Sequence, residues 1–543
     1  MKTLKKFIVL LVASLVLVGC ASKAEESTAK VLRVAAPGDV LSLDSSIATD
    51  GFSFEVISAF QEGLVVYAAD DTVIPAVATS WTVSEDGKEY VFTLNPDAKW
   101  SNGDAVTASD FVFAWQRLAN PATAAEYAIM LQTANIANAV DIAAGTKPVT
   151  DLGVEAVDAT TLKVTLGAAV PYFLQLMTFP SFLPLNQAFV EAQGASYATG
   201  ADSLLSNGPF VLTDWVLGST ITLAKNAEYV DADAVQIDGV EYLIIPESQT
   251  IKLEYEQGNL DVAAMTGDLV EAYTGTEDFT QIMKGYTWYM PVNLSSENAA
   301  LANQNFRLAL AWSFDRSFIV DDKLNDGSIV ANGFVPVGLS TGPTGNDFRT
   351  DAPTYFGYDT AKAAEYWTAA KAELGVETAT FELMVGDSSD SGLASGAAEY
   401  LKAEIEKNLP GVTVNITTTT KKDRLDKMKL GEYEVGLTRW GPDYADPLTY
   451  LFDLLVSGNT WNFSKWNSAE YDALIASVSP GGDLATDLNT RWTKLIEAEG
   501  LALSQAVVIP IWQTGGAMII KPNVSGIEYH VIGMTSYKNA VIE

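Results

Sequence analysis

The chain has 543 residues, 48% of them hydrophobic, with 68 acidic against 33 basic side chains and a formal net charge of −35 at pH 7. A surface this acidic repels nucleic acid and anionic lipid, which excludes a nucleic-acid role. One histidine and one cysteine leave no set of His and Cys ligands for zinc and no internal disulfide, so a core of this size must hold by packing.

In chain order, Lys2, Lys5 and Lys6 precede an apolar run from Phe7 to Val18 that only Ser14 interrupts, and Leu17-Val18-Gly19-Cys20 follows. A basic start, a short apolar stretch and a small-residue cleavage site predict a secretory signal over 1–19. The run is shorter than the about 20 apolar residues a membrane span needs. Leu-Val-Gly-Cys resembles the bacterial lipobox, so Cys20 is expected to carry a lipid anchor, with a polar linker over 20–30. The mature protein is then extracytoplasmic, held at the outer face of the cytoplasmic membrane or in the periplasm.

Tyr90, Phe92 and Leu94 alternate with Val91 and Thr93, and Leu162, Val164 and Leu166 with Lys163 and Thr165, which predicts two half-buried strands. Between them Thr107-Ala108-Ser109-Asp110 offers a capping box before Phe111, Ala114, Trp115 and Leu118 at helical spacing. Asn305 to Asp326 reads as one helix with Phe306, Ala309, Leu310 and Phe314 on a stripe. Pro and Gly clusters at 179–184, 207–209, 334–343 and 508–510 punctuate the chain. The mixture predicts an α/β or α+β protein of several lobes.

Catalytic signals are sparse. His530 lies in a strand-like stretch from Ile527 to Ile532, and this single histidine would have to serve any hydrolase as base. Carboxylates are too numerous for a glycosidase pair to be informative. Asp321 to Gly327 is rich in oxygen ligands, but Lys323 and Leu324 stand where a calcium loop needs ligands, so it reads as a surface turn. No glycine run leads into Lys-Ser or Lys-Thr, so there is no ATP site. The expectation is a binding protein with no catalytic residues, no metal and no cofactor.

Phe60-Gln61-Glu62-Gly63-Leu64-Val65-Val66-Tyr67, Pro75 to Trp81 and Ala98 to Val112 resemble the signature region of the oligopeptide- and dipeptide-binding proteins of ABC importers, extracellular solute-binding protein family 5. The resemblance runs on through Gly145 to Val154, Ser206-Asn207-Gly208-Pro209-Phe210, Trp440-Gly441-Pro442-Asp443-Tyr444-Ala445-Asp446-Pro447 and Pro510-Ile511-Trp512, covering nearly the whole mature chain. It implies an α/β, two-lobe periplasmic-binding-protein-like clamp with an additional inserted domain. Lobe I is expected from 31–61, 181–285 and 511–543, the inserted domain II from 62–180, and lobe III from 286–510. The lobes would close on ligand by hinge motion.

A peptide of variable sequence has three constant features: an ammonium, a carboxylate and a row of backbone groups. The resemblance implies that Asp443 pairs with the ammonium, the competing account being a turn aspartate between Pro442 and Pro447. Trp440 and Tyr444 stand beside it, and Tyr127 matches a ligand-facing tyrosine. Thr49-Asp50 and Thr287-Trp288-Tyr289 resemble the two edges to which an extended peptide adds as a strand. Oligopeptide-binding members have an arginine three residues before the motif's tryptophan; here that residue is Leu437, and Arg439 lies next to the tryptophan. Lys421, Lys422, Arg424, Lys427 and Lys429 could serve a ligand carboxylate or form a solvated helix face. The cysteine pair of some relatives is replaced by Tyr286 and Gly441. The implied partners are an oligopeptide, the permease subunits of an ABC transporter and, through Cys20, the membrane; the implied state is a monomer. Dipeptides, murein peptides, oligosaccharides or metal chelates on the same fold are alternatives, as are an extracellular hydrolase and a sensor.

Overall fold

The computed structural model describes residues 29–543 other than 37 and 267. The expected signal and Cys20 lie outside the described residues. β1 (Val31–Ala36) turns Leu32, Val34 and Ala36 inward. α1 (Gly51–Phe60) starts where the Asp50 carboxylate accepts the Ser53 N–H at 2.9 Å. The hairpin β2 (Val65–Tyr67) and β3 (Val73–Pro75) leads into β4 (Ala78–Val83) and β5 (Glu89–Leu94). α2 (Ala108–Ala119) follows, with the Asp110 carboxylate accepting the Thr107 N–H at 2.8 Å. β6 (Val154–Asp158) and β7 (Thr161–Thr165) complete an antiparallel sheet of order β4-β5-β7-β6. Tyr90, Phe92, Leu94, Leu162 and Val164 all point into its buried face, as their alternation requires.

The next run, β8 (Phe210–Val216), β9 (Thr220–Lys225), β10 (Gly239–Ile244) and β11 (Val262–Met265), returns to β1. β12 (Phe279–Pro291) leads to α3 (Gln304–Trp312) and β13 (Ile329–Val330). Here the structure departs from the single helix expected over Asn305 to Asp326. The helix stops at Ser313, and the Asp315 carboxylate accepts the Ser317 N–H at 2.9 Å to start a new short turn that widens over 319–324. The buried Arg316 pins this break through its Nε to the Pro510 carbonyl at 2.9 Å. The acidic stretch read as a surface turn is thus partly helical.

Then come α4 (Thr360–Leu374), β14 (Ala379–Gly386), α5 (Ser388–Asn408), β15 (Val412–Thr419), α6 (Lys421–Leu430), β16 (Val435–Gly436) and β17 (Thr438–Trp440). α7 (Ala469–Val478), α8 (Leu488–Ser504) and β18 (Val508–Ile520) close the later half. β14, β15 and β16 form a parallel sheet of order β15-β14-β16. Beyond β18 no strand forms over Ile527 to Ile532, where one was expected; only an isolated bridge between Glu528 and Ser536 is present.

The largest sheet runs β17-β12-β18-β11-β1-β10-β9-β8, with β13 also on β18. β12 and β18, of 13 residues each, pair antiparallel from Phe279 opposite Ile519 to Pro291 opposite Val508. Their pairing slips between Met283 and Thr287. On one side of this irregularity β18 pairs with β11, on the other β12 pairs with β17. The lobe boundaries expected at 285/286 and 510/511 therefore fall inside continuous strands rather than in loops. Gly515 sits at the slip, where a side chain would collide with the Gly327 backbone. One large apolar core joins residues from 62–180 to those from 286–510, and a separate one surrounds β1, α1 and β8–β10.

Candidate functional site

The segment after β17 is fastened before it reaches Asp443. The Tyr450 hydroxyl lies 2.6 Å from the Gly285 carbonyl and 3.0 Å from the Trp440 carbonyl, and it accepts the Thr287 N–H at 3.3 Å. Asp443 N–H donates to Thr449 Oγ1 at 3.2 Å, and Trp440 Nε1–H reaches the same hydroxyl at 3.4 Å. Three residues on, the buried Asp446 takes both Arg491 Nη atoms, at 2.7 and 2.8 Å. Two-pronged pairing fixes position as well as charge.

The Asp443 side chain is thereby held at a cavity of about 120 Å³. Its walls come from Tyr67 and Phe179 on one side, Tyr286 and Tyr444 on another, and Ile532 and Met534 on the third. Asp443 thus stands where the pieces 62–180, 286–510 and 511–543 meet. No protein cation pairs with it among the described residues, and burial alone pushes its carboxyl up to about 6. Asp453 is pushed up further, to about 8, by burial and then by the Asp443 charge. Both carboxyls are thus held above the usual carboxylate range, and each disfavours a second negative charge beside it.

The other expected residues divide. Tyr127 is half-buried, stacked on Phe179 at 5.1 Å and edge-on to Phe54 at 5.3 Å. Burial, then the Asp443 charge, pushes its hydroxyl up to about 12, so it is a neutral group near the acid. Tyr444 is buried and stacked on Tyr172 at 4.7 Å, which makes it a join between 62–180 and the later half as well as a cavity wall. Trp440 is half-buried against Trp461 at 5.3 Å. Thr49 is exposed; Asp50 caps α1 with Oδ1, and its Oδ2 is buried without a hydrogen-bond partner. Arg439 is exposed, its guanidinium over the rings of Tyr286 at 5.2 Å and Trp288 at 5.6 Å.

Trp288 and Tyr289 require a correction. β12 is hydrogen-bonded to β17 on one side and β18 on the other, so Thr287 to Tyr289 has no edge left for an added strand. Trp288 is buried and stacked on Trp512 at 4.9 Å, and Tyr289 is buried against Phe334. The sheet ends instead at β17, so the open backbone edge belongs to Thr438, Arg439 and Trp440. Sequence alone could not separate a central strand from its edge neighbour, since strand order depends on pairing between segments far apart in the chain.

The basic cluster is spread around α6 rather than gathered on one face; Lys422 pairs with Asp426 at 2.6 Å and Lys427 with Asp423 at 2.8 Å. Its buried Arg424 reaches the Thr438 hydroxyl. Tyr286 and Gly441, where some relatives carry cysteines, are indeed neighbours: a Cβ on Gly441 would overlap the Tyr286 ring. His530 is buried, its Nδ1 2.7 Å from Asp71 Oδ1, which ties the C-terminal segment to the β2–β3 turn. Asp453 and Tyr172 were not foreseen. An acid inside the apolar run from Tyr450 to Leu455 was the available signal for the first.

Among the described residues no group of three or more His, Cys, Asp or Glu is arranged to hold a metal ion, and no helix is long and apolar enough to cross a membrane. Residues 72–462 match the model of the bacterial extracellular solute-binding proteins, family 5. A dipeptide-binding protein of Lactococcus lactis is 33% identical over 98% of both chains. The substrate-binding domain of an oligopeptide ABC transporter from Bacillus anthracis superposes with a TM-score of 0.75 at 40% identity, covering 94% of this chain and 98% of that one. Peptide-bound OppA of Listeria monocytogenes gives 0.74 at 31% identity, covering 95% and 99%. A match of this extent, over a clamp whose walls meet at Asp443, places this chain in family 5 of the bacterial extracellular solute-binding proteins.

Proposed function

We propose that this protein captures short peptides outside the cytoplasm and hands them to the permease of an ABC importer, with Asp443 receiving the peptide's α-ammonium. The observation that carries this reading is a largely buried carboxylate, at the meeting of three chain pieces, to which the protein supplies no cation among the described residues. Holding a charge there without a partner is costly, and a ligand ammonium completes the site. The names of the relatives, a dipeptide-binding protein and a peptide-bound oligopeptide receptor, support the same class of ligand.

In this reading the peptide lies extended along the outer edge of β17, with Asp50, Tyr127 and Trp440 around its first residues and Arg439 available to a carboxylate farther along. The pieces 31–61, 181–285 and 511–543 form one jaw with 62–180 attached, and 286–510 forms the other. The bent pair of strands β12 and β18 is the hinge. Cys20 carries the lipid that keeps the monomeric receptor beside its permease. The protein performs no covalent chemistry on its ligand. Native mass spectrometry of the purified protein, before and after incubation with a peptide library, tests this directly. Bound peptides of intact length are expected; peptides returned shortened would establish a hydrolase, and failure to retain any peptide would refute capture.

A further inference from the structure

A second, larger cavity adjoins the one at Asp443. This cavity, of about 300 Å³, lies between the end of α1, the β2–β3 hairpin and the segment 528–539. Tyr67, Thr178, Gly533 and Met534 line both this space and the Asp443 cavity, so the two adjoin across one wall. Ala59, Val65, Ile74, Leu183 and Phe210 give the inner space an apolar body. A pocket of this size, with an apolar body and polar side chains around it, has the make-up of a ligand compartment.

Its polar groups are mostly engaged. Lys538 pairs with Asp231 at 3.0 Å, Glu528 accepts from Asn539 at 2.9 Å, and His530 is held by Asp71. Glu62 is different. It is 7% exposed, and Asn207 fixes its backbone from both sides, at 3.1 and 2.8 Å. Tyr229 donates to Oε1 at 2.9 Å, while Oε2 has no hydrogen-bond partner among the described residues. Burial pushes this carboxyl up to about 7, outweighing the pull of the nearby Lys538 ammonium, which is itself paired with Asp231.

We infer that this inner cavity is a side-chain compartment for a lysine or arginine of the bound peptide, with the apolar stem along Val65, Ile74 and Phe210 and the cationic head at Glu62 Oε2. The assignment rests on the peptide reading above and adds a preference to it. An apolar stem tipped with a charge suits a space with an apolar body in which Lys538, Glu528 and His530 already have partners within the protein while Glu62 keeps an acceptor oxygen for a ligand.

The test is a calorimetric scan of the full mature protein with tetra-alanine, the four peptides that place one lysine in it, and the four that place norleucine. Lysine at one position is expected to bind about tenfold tighter than norleucine there, the scale of a buried charge-assisted hydrogen bond. Glu62→Gln keeps an acceptor for Tyr229 and should erase that ratio. Because the ratio is read within one protein, any general loss of affinity cancels. Tetra-alanine binding with no lysine preference at any position, or a preference that survives in Glu62→Gln, overturns this assignment and leaves peptide capture standing. If none of the nine peptides binds, peptide capture itself fails and the assignment fails with it.

Discussion

Replacing Asp443 by asparagine should make the empty protein more stable and the loaded one weaker. Burial moves this carboxyl from 3.8 to about 6. At about 1.4 kcal/mol per pH unit, keeping it ionised at pH 7 costs about 3 kcal/mol. Partial contact with water reduces that to about 1–2 kcal/mol. The sign follows from the unfolded chain, where the same aspartate ionises near 3.8: stability is highest below that pH, declines as pH rises toward 6, and stays low above. Asp443→Asn removes the penalty, so the apo unfolding midpoint at pH 7 should rise by roughly 1–2 °C in a chain of this length. The same change removes a charge-assisted contact worth about 1.5–3 kcal/mol to a free peptide, a loss of about 10- to 150-fold in affinity. An N-acetylated peptide has no such contact to lose. The assay is a thermal melt of apo protein paired with calorimetric titration of a free and an acetylated peptide. Equal losses for both peptides, or an apo midpoint that falls, would refute the assignment of the ammonium to Asp443.

Three further outcomes are expected, two from this geometry and one from the sequence at Cys20. Peptide affinity should climb as pH rises from 5 to 7, by about tenfold per unit below 6, because a proton on Asp443 competes with the ligand ammonium. It should fall again above about 8 as the ligand's own amine titrates; titrations across pH 5 to 9 would show a flat profile if Asp443 is not the anchor. Asp446→Ala strands the buried Arg491 guanidinium, so denaturant melts should show a loss of about 3–5 kcal/mol, with peptide binding impaired through the displaced 441–447 segment. Cys20→Ala should move the protein from the membrane fraction to the soluble one, as read by fractionation and blotting; continued membrane retention would reject the anchor.

Much of the local structure was legible because it is set by neighbours in the chain. The alternation around Phe92 and Leu162 and the cap at Thr107 and Asp110 depend only on side chains a few residues apart, and each appears where its pattern points. The long helix read over 305–326 failed because Arg316 is drawn to the Pro510 carbonyl, nearly two hundred residues away. Trp288 and Tyr289 were misplaced for a similar reason. Which strand is central and which is terminal depends on β18, contributed from the far end of the chain.

By itself the sequence determined the acidic character, the scarcity of histidine and cysteine, the periodic elements and the family resemblance, since all of these are properties of composition and of residues near one another. Only the tertiary structure decided that Asp443 is shielded from water with no cation beside it among the described residues, that Asp453 shares its neighbourhood, and that the open edge lies on β17. Burial, electrostatic coupling and strand neighbours arise when segments hundreds of residues apart are brought within a few ångströms, and no local pattern encodes that distance.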